Sequence, residues 1–196
     1  HFYGSDHHIY LYNQLVNLFP EFKDVSVDEL VSMINKTECA LIRTEADELT
    51  YPLHIMVRYE IEKEIAKGNI DYDKLPELWA DKYEEYLGVR PTNYKEGVLQ
   101  DMHWSTGYLG YFPTYALGSA YAAQLYATME KQFDVEEALL TNHFEKITDW
   151  LKDNVHHYAA SKSMAEIVEE VSGEPFNPDY YTDYLIKKYK KLYNLD

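Results

Sequence analysis

Arg43 and Asp47 are the first pair of residues in this chain whose types and spacing suit substrate binding. They stand four residues apart, which would place both on one face of a helix. Such a pair is either a surface ion pair worth about 0.3–0.5 kcal/mol, or part of a cleft into which the guanidinium of Arg43 points. In the second case its N–H groups would hold a carboxylate, such as a peptide C-terminus, through two parallel hydrogen bonds. The spacing alone leaves both interpretations open.

A second group of polar side chains lies between residues 97 and 104. It contains Gln100, Asp101 and His103, and Trp104 follows directly. An imidazole beside a carboxylate can form an oriented acid–base pair. A buried histidine that is satisfied by its neighbour would give the same pattern, so both interpretations stay open.

Tyr111 and Tyr115 come next, and Tyr115 falls in the first turn of a predicted helix. A tyrosine hydroxyl there can donate a hydrogen bond to a developing oxyanion. The chain contains 20 tyrosines, however, and packing at the edge of a core accounts for such residues equally well.

The histidines give no indication of a metal site. His7–His8 and His156–His157 are adjacent pairs, and adjacent side chains on a helix diverge by about 100°. The chain also lacks a glycine-rich phosphate loop, a Gly-x-Ser-x-Gly turn and a Cys-x-x-Cys pair. We therefore predict no metal-ligating residue in this chain.

The elements that must position these residues are predicted to be helices almost throughout, because apolar residues recur at helical spacing. The predicted helices are 8–19, 26–34, 44–67, 74–87, 114–132, 136–157, 163–173 and a last one that starts at Asn177-Pro178. Pro52 predicts a kink or a restart near Thr50. The fold class is therefore all-α, with at most a minor β element near residues 89–110.

Local signals mark several of these helix ends. Ser26 with Glu29, and Ser163 with Glu166, have the spacing of a capping box. Gly88 suits the position that follows a helix, where the backbone turns left-handed.

Composition limits the class of protein. With 46% apolar and 27% charged residues the chain is globular rather than disordered, and we predict one helical domain over residues 1–196. The net charge of −16 argues against nucleic acid and anionic membranes as partners. Cys39 is the single cysteine, which predicts a reducing, cytoplasmic location.

Two motifs together resemble one known family. Ile42-Arg43-Thr44-Glu45-Ala46-Asp47 is similar to the [Ile/Val]-Arg-x-x-Ala-Asp motif of the carboxypeptidase Taq (thermostable carboxypeptidase) family. Residues 97–104 match that family's Gly-x-x-Gln-Asp-x-His-Trp motif at every fixed position, and Gly-Tyr-Phe-Pro-Thr-Tyr follows at 110–115. The resemblance runs from about Phe19 to the C-terminus.

The resemblance implies an all-helical metallocarboxypeptidase, usually a homodimer, with a deep groove and a zinc (or cobalt) ion, which removes C-terminal residues from peptides. It assigns substrate binding to Arg43, Asp47, Gln100 and Asp101, and catalysis to His103, Tyr111 and Tyr115.

The family's His-Glu-x-x-His metal helix is absent from these 196 residues. We therefore expect the chain to be the C-terminal part of a longer enzyme, to bind no metal by itself and to be inactive alone. The alternative is a non-catalytic helical module that binds peptides or another protein.

Overall fold

A computed structural model describes the backbone of residues 5–196 and the side chains from residue 10 onward. Within this range every regular element is helical and no strand is present, so the predicted all-α class is confirmed. Residues 89–110 form turns, with a 3₁₀ turn at Trp104–Thr106. The side chains of His7 and His8 lie outside the described residues.

The helices of the described chain follow one another with short connections. They are α1 (Ser5–Leu18), α2 (Val27–Ile34), α3 (Tyr51–Ala66), α4 (Leu75–Leu87), α5 (Pro113–Glu130), α6 (Val135–Leu140), α7 (Phe144–Asn154), α8 (Met164–Ser172) and α9 (Asp179–Tyr193). Short 3₁₀ turns lie at Pro20–Asp24, Arg43–Glu45, Tyr72–Lys74 and His156–Tyr158.

The chain divides into two compact units. The middle unit is Asn35–Leu117, and the outer unit combines the residues up to Ile34 with Gly118–Asp196. The single domain over residues 1–196 stays a prediction.

The middle unit is built on the packing of α3 against α4. Trp79 stacks on Tyr83 with ring centroids 5.4 Å apart, and both side chains are buried. The core of this unit consists of Val57, Ile61, Trp79, Tyr83 and Leu87. Gly88 ends α4 with a φ of 68°, as predicted, because a left-handed residue there costs glycine no steric clash.

In the outer unit α1 packs on α2 and α6, and α6 packs on α7. Its core consists of Leu125, Met129, Val135, Ala138, Leu139, Ile147, Trp150 and Val168. Both predicted capping boxes are formed: the Glu29 carboxylate accepts from the Ser26 amide at 2.8 Å, and that of Glu166 accepts from the Ser163 amide at 2.7 Å.

One predicted helix, 136–157, is wrong as a continuous element. The structure breaks it between α6 and α7, where Asn142 has a φ of 61°. The amide of His143 then donates to the carbonyl of Ala138 at 2.8 Å, which is the bond that closes a helix after a left-handed residue.

The predicted helix 44–67 is also shorter than expected. The α-helix begins only at Tyr51, so the restart predicted near Thr50 is confirmed. Arg43 lies in a separate 3₁₀ turn, and Asp47 lies in the connection between that turn and α3. The pairing of Arg43 and Asp47 on one helical face is therefore wrong.

Candidate functional site

The Arg43 guanidinium pairs with Asp101, which is 58 residues away in the chain. Its Nη2 and Nε lie 2.7 and 3.1 Å from Oδ1 of Asp101, and Nη1 donates to the Tyr51 hydroxyl at 3.0 Å. The Arg43 side chain is only 9% exposed, as is that of Asp101. The two motifs recognised in the sequence are thus joined by one buried ion pair.

Arg58, which the sequence analysis did not single out, completes this ion pair from α3. Its Nε lies 2.7 Å and its Nη2 2.5 Å from Oδ2 of Asp101. Nη1 donates to the His54 carbonyl at 2.7 Å and to the Tyr83 hydroxyl at 3.2 Å, while Nη2 also donates to Gln100 Oε1 at 2.9 Å. The side chain is fully buried, and Asp101 therefore stands between two arginines.

Gln100 links the two motifs through its side-chain amide. Oε1 accepts from the backbone N–H of Arg43 at 3.0 Å and from Arg58, and Nε2 donates to the carbonyls of Leu41 and Glu96 at 3.0 and 2.8 Å. All four hydrogen-bonding positions of the amide are in use. Gln100 is therefore a connector, and its predicted contact with substrate stays a prediction.

The charges of this cluster shift the pKa values of its members. Burial alone would raise the pKa of Asp101, but the hydrogen bonds and charges of Arg43 and Arg58 outweigh it and lower that pKa. Burial likewise opposes the charge of Arg43, but Asp101 raises its pKa above the ordinary value. Asp101 and Arg43 are therefore both charged at neutral pH.

His54 lies against the same cluster from within α3. Burial, followed by the charges of Arg58 and Arg43, lowers its pKa to about 4. Its Nδ1 lies 3.0 Å from the Tyr83 hydroxyl, and its buried Nε2 has no partner among the described residues. His54 is therefore neutral in the folded protein at neutral pH.

His103 lies beside Asp101. Its Nδ1 is 3.9 Å from Oδ1 of Asp101, and its Nε2 is 3.1 Å from the Tyr115 hydroxyl. A hydrogen on Nδ1 is attracted by the carboxylate whereas a lone pair there is repelled. This favours the tautomer in which Nε2 accepts a hydrogen bond from Tyr115.

The aromatic residues of the third segment surround His103. The Phe112 ring centroid lies 4.4 Å and that of Tyr111 5.8 Å from the imidazole. Tyr111 is 44% exposed, and its ring meets that of Tyr115 edge-on at 5.4 Å. The Arg43 guanidinium carbon lies 5.1 Å from the Tyr115 ring centroid, so the cation and the hydroxyl-bearing ring are neighbours.

Glu62 holds the segment that joins His103 to Tyr111. Its Oε1 accepts from the Trp104 indole at 2.9 Å and from the Gly110 amide at 3.0 Å. Trp104 follows His103 directly and Gly110 precedes Tyr111 directly, so one carboxylate on α3 fixes both ends of this loop. Sequence analysis missed this role.

Asp47 does not join the cluster as a partner of Arg43. Its carboxylate accepts from the hydroxyl of Thr37 (2.7 Å), the amides of Glu38 (3.0 Å) and Leu49 (2.9 Å), and both the amide and the hydroxyl of Thr50 (3.0 and 2.9 Å). Burial would raise its pKa, but these hydrogen bonds outweigh it and lower the pKa. Asp47 therefore shapes the entry into α3, and its substrate-binding role stays a prediction.

The described residues contain no group of three or more His, Cys, Asp or Glu side chains that could hold a metal ion. The cluster itself is rich in arginine, which repels cations. Within the same part of the chain, no helix has the length and apolar character needed to cross a membrane.

Comparison with known proteins agrees with the motifs. Residues 5–189 match the family model described as Carboxypeptidase Taq (M32) metallopeptidase. The chain is 44% identical to Carboxypeptidase 1 of Bacillus subtilis (strain 168) over 198 residues, covering 99% of this chain and 40% of that protein. It is 41% identical to Thermostable carboxypeptidase 1 of Thermus thermophilus over 177 residues, covering 90% of this chain and 35% of that protein.

Solved structures give the same answer for the fold. The M32 carboxypeptidase of Deinococcus radiodurans R1 superposes with a TM-score of 0.93 at 32% identity, over 98% of this chain and 39% of that one. Trypanosoma cruzi metallocarboxypeptidase 1 superposes with a TM-score of 0.91 at 34% identity, over 96% and 38%. The chain thus spans about 40% of the length of such relatives. On these findings, the chain belongs to the carboxypeptidase Taq (M32) metallopeptidase family.

Proposed function

We propose that this chain is the C-terminal part of a metallocarboxypeptidase, in which it binds the free C-terminal carboxylate of a peptide and stabilises the reacting carbonyl. The observation that carries the proposal is the position of Arg43. Its buried guanidinium lies beside Tyr115, whose hydroxyl is hydrogen bonded to His103. A cation for the carboxylate and a donor for the adjacent oxyanion therefore belong to one cluster.

Arg43 is suited to hold an incoming carboxylate. An arginine has five N–H donors, and the hydrogen bonds described above use one each on Nε, Nη1 and Nη2. The two terminal nitrogens therefore keep one further N–H each. A carboxylate bound by such a buried guanidinium forms charge-assisted hydrogen bonds, which are stronger than neutral ones.

Tyr115 and His103 are proposed to act at the scissile carbonyl. In the favoured tautomer Tyr115 donates to His103, and it would redirect this hydrogen toward the oxyanion as negative charge develops there. The Asp101 carboxylate lies 3.9 Å from Nδ1 on the opposite edge of the same imidazole. Tyr111, which is more exposed, is proposed to contact the substrate beside the same ring group.

The metal of the proposed enzyme is zinc or cobalt. The described residues do not provide a ligand set for it. The chemistry proposed for this chain is accordingly limited to binding, orientation and hydrogen bonding. We further propose a homodimeric assembly, a cytoplasmic location and no nucleic-acid partner, the last supported by the net charge of −16.

The test compares a peptide that has a free C-terminus with the same peptide amidated, using the full-length enzyme that contains this chain and the Arg43→Ala variant of that enzyme. We expect the variant to lose roughly ten- to hundredfold in kcat/KM on the free peptide, since a charge-assisted hydrogen bond contributes about 1.5–3 kcal/mol. The amidated peptide should be turned over slowly by both proteins.

Arg90→Ala provides the matched control, because Arg90 is an exposed arginine of the same unit that pairs with Asp81 and Glu84. The Arg90→Ala variant should keep the kcat/KM of the unsubstituted enzyme on both peptides. Equal losses on free and amidated peptides in Arg43→Ala would contradict the carboxylate-binding role.

A further inference from the structure

Two arginines and one aspartate form the buried cluster, so the directly paired charges do not cancel. Arg43 and Arg58 both bind Asp101, and no second carboxylate of the described residues forms an ion pair with either of them. The cluster therefore carries one excess positive charge. A buried cation without a counter-ion is costly, which indicates that an anion completes this site.

The hydrogen bonds show which arginine carries the excess charge. Arg58 is 0% exposed and donates four hydrogen bonds within the protein, one of them to Asp101, and its Nη2 also forms an ion pair with that carboxylate. Arg43 uses three in the described bonds and borders Tyr115. Arg58 is thus the permanent counter-ion of Asp101. Arg43 is the arginine that still has N–H groups which the described bonds do not use.

We propose that Arg58 is a positioning residue that compensates the charge of Asp101, so that Arg43 keeps a net positive charge for a substrate carboxylate. Without Arg58, Asp101 would neutralise Arg43 and compete with the substrate for it. This inference rests on the proposed carboxylate-binding function and adds to it the source of the binding charge. It concerns the affinity of the site, since Arg58 has no surface with which to touch a substrate.

Glu62 is an alternative counter-ion to consider, because it is buried and follows Arg58 by one turn of α3. Its Oε1 is instead occupied by the Trp104 indole and the Gly110 amide. Its Oε2 has no hydrogen-bond partner among the described residues. Glu62 therefore holds the loop, and it forms no ion pair with either arginine among the described residues.

The experiment measures binding of N-acetyl-L-phenylalanine and of its amide to the chelator-treated protein by calorimetry. The wild-type protein should prefer the acid. Arg58→Met should weaken binding of the acid by roughly ten- to hundredfold, the value of a charge-assisted hydrogen bond, and should leave the weak binding of the amide unchanged. Arg58→Lys, which keeps the charge, should retain most of the preference.

A rescue variant separates charge compensation from a structural role. Arg58→Met combined with Asp101→Asn removes both charges, so Arg43 is again uncompensated and binding of the acid should return to roughly the wild-type level. A merely structural Arg58 predicts that the double variant binds no better than the single one. Arg90→Met is the exposed arginine control and should bind as the wild type does.

The outcomes distinguish the inference from the function on which it rests. If the wild type does not prefer the acid, the proposed carboxylate site itself is refuted. If it does, but Arg58→Met keeps full affinity or the double variant is not rescued, only the role of Arg58 is overturned. If Arg58→Met does not fold, Arg58→Lys and the double variant still decide between the two roles.

Discussion

Acidification should destabilise the fold through His54, and the structure gives the size of the effect. Burial and two arginines lower its pKa from 6.5 to about 4, so the unfolded chain takes up this proton before the folded protein does. The contribution of His54 to the free energy of unfolding is therefore fully present above pH 6.5 and is lost as the pH falls toward 4. The full difference corresponds to about 3 kcal/mol, since each pKa unit is worth about 1.4 kcal/mol.

The assay is urea unfolding of the protein and of His54→Gln at several pH values between about 7.5 and 4.5. Asp101 and Asp47 also weaken the fold at acid pH, because their lowered pKa values mean that stability is lost as they protonate. These contributions are common to both proteins and cancel in the difference. Between about pH 7.5 and 4.5 the free energy of unfolding of the wild type should therefore fall by about 2.5 kcal/mol more than that of His54→Gln.

His143→Gln is the matched control, because the His143 side chain is 55% exposed and its ion-pair partner, Glu145, is exposed as well. The free energy of unfolding of His143→Gln should change with pH in parallel with that of the wild type. The reasoning is refuted if His54→Gln and the wild type lose stability in parallel, or if an NMR titration finds the His54 imidazole protonating near its ordinary pKa of 6.5.

Two further substitutions test how the site and a helix end are held. Glu62→Ala should lower the free energy of unfolding in urea by about 2–3 kcal/mol, because it leaves the Trp104 indole and the Gly110 amide without their acceptor. Glu62→Gln keeps an oxygen at this position and should lower it clearly less. Equal losses in the two variants would contradict the role of Glu62 as the acceptor. Ser163→Ala should lower the melting temperature by an amount equivalent to about 1 kcal/mol, since it removes the α8 capping box; an unchanged melting temperature would show that the cap is dispensable.

Helix ends were predictable from sequence where the physical cause is local. The capping boxes at Ser26 and Ser163 and the left-handed glycine Gly88 each depend on residues within one helical turn, and all three are present. The break at Asn142 was missed because the apolar spacing continues across it. A left-handed residue interrupts the helix without interrupting that pattern, so periodicity alone could not reveal it.

The site was predictable only in part. The types of its residues were recognised, and Arg43, Gln100, Asp101, His103, Tyr111 and Tyr115 do come together in the middle unit. The helical pairing of Arg43 with Asp47 was wrong. Their spacing is a local pattern, whereas the bond from Arg43 to Asp101 spans 58 residues. A tertiary contact of that length leaves no periodic trace in the chain.

A row of ionisable residues on α3 was the sequence signal that could have located the centre of this site. His54, Arg58 and Glu62 recur every four residues among buried apolar neighbours, and all three are buried. Ionisable side chains at such positions need partners, because burying an unpaired charge is costly. A buried row of this kind therefore predicts that distant polar residues must fold onto the same face.

The structure shows what this row accomplishes. His54 meets Tyr83 of α4, Arg58 holds Asp101 and Gln100, and Glu62 holds both ends of the loop after His103. Each member thus attaches a different segment to one rigid helix, and their spacing of one turn sets the spacing of the segments. The positions of Arg43, Asp101 and His103 relative to one another follow from α3, although α3 itself contributes no residue to either motif.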